Sequence, residues 1–226
     1  TLRSLEQSLL QPISKASTDD LRNYLINYET KRGSSKTTID NIRRIFSSFF
    51  SWLEDEDYIV KSPARRIKHV RSPKKIKSVF SDEDLELLRQ SRRNLRDTAI
   101  INILASTGMR VGELVRLKIK DININERECL VTGKGNKQRI VYFDARTKIH
   151  LEKYLNSRED HKEALFIPLK GSESKLSINT VEMRLKKLGK ELNIQRVHPH
   201  KFRRTMATNA IDKGMPIEQV QKLLGH

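Results

Sequence analysis

Asp97-Thr98-Ala99-Ile100-Ile101-Asn102-Ile103-Leu104-Ala105-Ser106-Thr107-Gly108-Met109-Arg110-Val111-Gly112-Glu113-Leu114-Val115-Arg116-Leu117 is the stretch on which the second half of the chain turns. Ala99 to Ala105 is apolar at every position but Asn102, so the stretch predicts a helix buried on every side rather than an amphipathic surface helix. Gly108 ends that helix and a second one opens at once over Met109 to Leu117, which sets Arg110 at a tight corner on a rigid base.

Downstream the period changes. Ile122, Ile124, Leu130, Val131, Ile140, Val141 and Phe143 fall in short β-prone runs broken by polar clusters, and Gly133-Lys134-Gly135-Asn136 reads as a hairpin turn. A small antiparallel sheet with Lys134 at a loop tip is expected. Helices follow at Asp144 to Arg158, Ser177 to Leu192, Pro199 to Asp212 and Pro216 to Leu224, the last two with Gly214 and Gly225 past their ends. Upstream, Ser81-Asp82-Glu83-Asp84 has the pattern of a helix start.

The first seventy residues have a different character. Two short helices are expected between Leu2 and Tyr28, broken around Pro12 and restarted at Thr18. A long helix then runs from Lys36 to Leu53 with Ile39, Ile42, Ile45, Phe46, Phe49, Phe50 and Leu53 on one wide face. Ser35, Lys36, Thr37 and Thr38 at its start offer hydroxyls, a charge and unpaired backbone N–H groups, which suit a phosphate as well as an ordinary cap. The run Arg65 to Lys77, including Lys75, is basic, holds a proline and lacks apolar periodicity, and so reads mostly as a linker. The expected organisation is a helical domain over 1–70, a basic linker over 71–80 and a mostly α second domain with one small antiparallel sheet over 81–226.

Charge narrows the partner. Lys and Arg number 45 against 28 Asp and Glu, a formal net charge of +17 on a chain that is still 36% hydrophobic. A folded protein with that excess suits a polyanion, with nucleic acid first among candidates. A very soluble basic protein of ribosomal type has the same composition. Cys129 is the single cysteine, so it can form no internal disulfide, and no run approaches the roughly 20 apolar residues of a membrane span. A cytoplasmic protein with no membrane partner is expected.

Five groups combine charge or proton-carrying chemistry with a fixed backbone setting: Arg110, Lys134, His200, Arg203 and His226. Two arginines can clamp the nonbridging oxygens of a phosphodiester, a lysine can protonate a leaving oxygen, and histidines can hydrogen-bond or shuttle protons. Such a set needs no metal and no cofactor, and the sequence has no carboxylate pair or His/Cys pattern at metal-ligand spacing. Taken singly, each residue has a plainer reading as a cap or a solvent-exposed side chain.

Thr107 to Leu114, Gly133-Lys134-Gly135-Asn136-Lys137-Gln138-Arg139, His200 to Thr208 and Leu223-Leu224-Gly225-His226 resemble, in order and spacing, the tyrosine recombinase family of phage integrases and Xer-type recombinases. The first domain is similar to that family's helical, SAM-like core-binding domain, through its Thr-rich helix start and its Phe49-Phe50-Ser51-Trp52-Leu53 segment. The resemblance implies a site-specific recombinase or integrase, acting in DNA integration or for a mobile element, that cleaves and rejoins DNA through a 3′-phosphotyrosine. Arg110 and Arg203 match its phosphate-binding arginines, Lys134 its hairpin general acid, and His200 and His226 its two histidines. Glu113 matches an acidic position that supports the first arginine. Lys36, Thr37, Thr38, Arg43, Arg44, Lys75, Lys201 and Arg204 are the expected DNA contacts. Arg204 stands where many relatives have histidine.

The implied partners are a double-stranded recombination site, a homo-oligomer that is tetrameric on paired sites, and an accessory directionality factor. The family's tyrosine lies beyond the position of His226, whereas Tyr24, Tyr28, Tyr58, Tyr142 and Tyr154 all precede His200. Residues 1–226 are therefore expected to bind DNA without cleaving it and to assemble weakly. A non-catalytic DNA-binding accessory or regulatory factor of the same ancestry is the alternative, and a type IB topoisomerase-like enzyme a more distant one.

Overall fold

The computed structural model describes residues 1–9, 11–73, 76–91, 94–169 and 175–225, with Lys134 described by its backbone alone. The chain divides into two compact units, Thr1–Ile76 and Lys77–His226.

The first unit is helical. Helix α1 (Leu2–Glu6) is followed by a 3-10 turn at Ile13–Lys15, then α2 (Thr18–Arg32) and α3 (Lys36–Asp55), with a second 3-10 turn at Pro63–Arg66. Ser17 caps α2 through a reciprocal box with Asp20, and Gly33 ends it in the left-handed region at φ 55°. Ser35 caps α3 by accepting from the Thr38 N–H. Ile39, Ile42, Phe46, Phe50 and Leu53 of α3 are buried against Leu21, Tyr24 and Leu25 of α2 and Leu5 of α1. Ile45 and Trp52 lie at the edge of that stripe and stay exposed, so the buried face is narrower than the apolar pattern predicts.

The second unit is built around α5 (Leu95–Thr107), and ten of its thirteen residues are buried. It starts two residues before the expected Asp97, because Asn94 accepts the Asp97 N–H as cap. Helices α4 (Asp82–Gln90), α7 (Ala145–Asn156) and α9 (Pro199–Asp212) pack on it, with α6 (Val111–Leu114), α8 (Ile178–Glu191) and α10 (Ile217–Leu224) completing the shell. The strands β1 (Ile122–Asn123), β2 (Glu128–Thr132) and β3 (Gln138–Tyr142) form one antiparallel sheet in chain order. Cys129, Val131 and Val141 face the core, while the cross-strand pair Leu130 and Ile140 faces out.

Two junctions position the site. The helix expected over Met109 to Leu117 is a single turn, Val111–Leu114, because Arg110 is held extended at φ −72°, ψ 146° while its N–H donates to the Glu113 carboxylate at 2.9 Å. In the first half of α9, Thr205 accepts from the Phe80 N–H at 2.9 Å and Phe80 packs on Phe202 at 4.8 Å, which fastens the beginning of the second unit to α9.

Candidate active site

Three arginines converge on the last turn of α10. Arg203 of α9 donates from Nη2 to the Leu224 carbonyl at 2.6 Å and from Nη1 to the Gly108 carbonyl at 3.0 Å. Arg110 donates to the carbonyls of Leu224 at 3.5 Å and Gly225 at 3.2 Å. Arg139 of β3 donates from Nε to the Leu223 carbonyl at 2.9 Å. The C-terminal carbonyls of a helix carry partial negative charge, so they suit guanidinium donors.

Glu113 ties two of these arginines together. Its carboxylate takes Arg139 bidentately, with Nη1 on Oε1 and Nη2 on Oε2 both at 2.8 Å, and takes Arg110 Nη1 on Oε1 at 3.1 Å. Glu113 is only 2% exposed. Burial alone would raise its pKa, but the bonds from Arg139 and from the Arg110 backbone override this and hold the carboxyl at about 2. Arg203 is 7% exposed, and burial together with the charge of Arg110 lowers its pKa to about 10, which leaves it charged at neutral pH.

The β2–β3 hairpin roots beside this hub. A Cβ on Gly133 would lie 3.5 Å from Glu113 Oε1 and 3.8 Å from Arg139 Nη1. Lys134 follows in a short 3-10 turn, with Gly135 at φ 71° and the Gly133 N–H bonded to the Lys137 carbonyl at 2.8 Å. The Lys134 side chain, His226 and Lys75 lie outside the described residues. His200 is exposed in the first turn of α9, and among the described residues its ring makes no hydrogen bond. Tyr142 is exposed on β3, and Tyr154 is buried in α7 against Phe166. Neither hydroxyl bonds to the three arginines.

Several expected DNA contacts are committed elsewhere. Lys201 is 5% exposed, donates to the Gln195 carbonyl at 3.0 Å and sits 4.3 Å over the Phe80 ring, so its charge is spent inside the fold. Arg204 reaches from Nη2 to the Ser78 carbonyl at 3.0 Å. In the first unit, the Arg43 side chain is 15% exposed and pinned to buried Asp40 at 2.7 Å, whereas that of Arg44 is 66% exposed and touches the same carboxylate at 3.1 Å. The Asp40 carboxyl, bonded by Arg43 against the cost of burial, lies at about 2. Lys36, Thr37 and Thr38 are exposed as expected, with Thr37 3.3 Å from the Ser72 hydroxyl. The sequence motif around Lys134 gives Arg139 no role of its own. Its alternation with Val141 and Phe143 was the available signal, since it places Arg139 on the inward face.

Residues 78–226 match the model of the phage integrase family. The chain belongs to that family. The tyrosine recombinase XerA of Pyrococcus horikoshii is 32% identical over 198 residues, covering 87% of this chain and 67% of that protein. A crystal structure of XerA recombinase superposes with a TM-score of 0.63 at 27% identity, covering 100% of this chain and 80% of that one. The Tn1549 transposon integrase, solved in complex with a circular intermediate DNA, superposes with a TM-score of 0.77 at 21% identity over 100% of this chain and 83% of that one. The second unit thus has a tyrosine recombinase fold. Among the described residues no helix is long and apolar enough to cross a membrane.

Proposed function

We propose that this chain is the DNA-binding and phosphate-holding part of a site-specific recombinase, cytoplasmic and acting on double-stranded recombination sites. The observation that carries the reading is the aim of Arg110 and Arg203 at one carbonyl oxygen, that of Leu224, from motifs far apart in sequence. A scissile phosphate offers the same acceptor chemistry with a full charge, and two buried-edge guanidiniums stabilise the charge that spreads over it in the transition state.

In the intact protein a tyrosine hydroxyl attacks phosphorus and forms the 3′-phosphotyrosine. The 5′-oxygen leaves with a proton from Lys134, while His200 and His226 hydrogen-bond the phosphate or carry protons. Attack by a second strand's 5′-hydroxyl reverses the step and releases the tyrosine, so the number of phosphodiester bonds is conserved. Tyr142 is exposed and Tyr154 is stacked on Phe166, and neither hydroxyl bonds to the three arginines.

The first unit is the core-binding domain, presenting Lys36, Thr37, Thr38 and Arg44 to the backbone. The assembly is a tetramer on paired sites, with a directionality factor as accessory partner. A version of the chain extended through the next tyrosine, incubated with a suicide DNA site, is expected to form a covalent adduct that Arg203→Ala abolishes. Adduct formation untouched by Arg203→Ala overturns the assignment, and a failure of every extended form to react favours the accessory-factor reading.

A further inference from the structure

We infer that Arg139 is a positioning residue of the phosphate pocket, one that neutralises Glu113 so that Arg110 stays available to DNA. The inference rests on the reading of that pocket given above. Glu113 has two carboxylate oxygens and is enclosed by protein, so its charge must be answered by a neighbouring cation. Arg139 answers it with both Nη atoms at 2.8 Å, while Arg110 gives one longer side-chain bond of 3.1 Å and keeps Nη2 on the exposed Gly225 carbonyl at 3.2 Å. Without Arg139, Arg110 is the cation already hydrogen-bonded to Glu113 among the described residues, and a two-pronged pair between them would draw its fork off the phosphate position.

Arg139 also fixes the far wall of the pocket. Its Nε holds the Leu223 carbonyl at 2.9 Å, and Gly225, at φ 70°, lies so close that a Cβ there would sit 3.1 to 3.2 Å from the guanidinium and its Cδ. The same side chain therefore sets both the ionic state of Glu113 and the course of the chain past α10.

The test uses the full-length, tyrosine-bearing protein and a suicide DNA substrate, scoring DNA affinity, adduct rate at saturating DNA and thermal stability. Arg139→Met is expected to slow adduct formation by about 10- to 100-fold, with DNA affinity changed by less than about threefold. Arg139→Met combined with Glu113→Gln is expected to recover at least about tenfold of that loss, because the uncompensated carboxylate is gone. Arg139→Lys, which keeps the charge and loses the fork, should fall between them, and it serves as the test pair with Glu113→Gln if Arg139→Met does not fold. An adduct rate in Arg139→Met equal to the parent, or a double variant as slow as the single, overturns the inference. Arg203→Ala run alongside separates the cases: if it cleaves normally the pocket reading itself fails, and if it is inactive while Arg139→Met is normal only the inference about Arg139 fails.

Discussion

Arg203 closes a hydrogen bond of 3.0 Å onto the carbonyl of Gly108, ninety-five positions away in the chain. The bond joins α9 to the corner that carries Arg110, so the two cations are spaced by the backbone geometry at Gly108 as well as by their own side chains. That residue sits at φ +59°, and a Cβ on it would lie 2.7 Å from Cε of Met206 and 3.4 Å from Leu224.

Gly108→Ala is therefore expected to lower stability by about 1 to 2 kcal/mol, since the left-handed conformation is unfavourable to any residue with a Cβ. The flexible Met206 end can yield, so the protein should still fold. Adduct formation by the full-length protein should fall by more than the small loss of folded fraction explains. Urea melts and adduct rates measured on the same preparation decide it, and unchanged stability would contradict the strain argument.

Arg43 and Lys36 should behave as opposites. Arg43→Gln strips buried Asp40 of its nearest cation and is expected to destabilise the protein by about 1 to 3 kcal/mol. Lys36, exposed and 3.8 Å from Glu29, contributes little to folding. Lys36→Gln should leave the melting temperature in place while weakening DNA binding and reducing its salt slope by about 1. Binding titrations at several salt concentrations, beside thermal melts, separate the two effects.

Lys201→Met should act on the fold. It removes the bond to Gln195 and the contact with Phe80, at an expected cost of about 1 to 2 kcal/mol. The salt dependence of DNA binding should not move. A reduced salt slope would show that the ammonium reaches phosphate after all.

Glu113 gives the protein an acid limit. Its carboxyl ionises at about 2 when folded against an ordinary 4.5, so the folded state holds the proton more weakly than the unfolded chain. The associated stability, roughly 3 kcal/mol, is complete above pH 4.5 and drains away as pH falls towards 2. Glu113→Gln lacks this dependence. The stability difference between parent and variant, from urea melts at stepped pH, should narrow on acidification, and a constant difference would count against the pairing.

Much of this was readable in the chain. Ser81 caps α4 as its spacing with Asp84 predicts, and the glycines around Lys134 mark the hairpin. These are local signals, carried by residues three or four apart. The packing of Lys201 is not legible in the same way, because four of the residues from 200 to 204 are basic or titratable and the sequence cannot say which one meets Phe80, a partner from the far end of the unit. Arg43 carried its own warning, since Asp40 stands one helical turn before it. Arg139 was harder still. Its significance depends on Glu113 and Leu223, which reach it through two separate elements of the fold.

Cys129, the single thiol, is sealed in β2 opposite Val141, and burial pushes its pKa up to about 12. It is consequently silent toward alkylating and spin-labelling reagents at neutral pH. A cysteine placed at Asn136 on the hairpin would then be the sole reactive sulfur in the chain. The arrival of DNA at that loop can be followed with a probe whose signal has no background from elsewhere in the molecule.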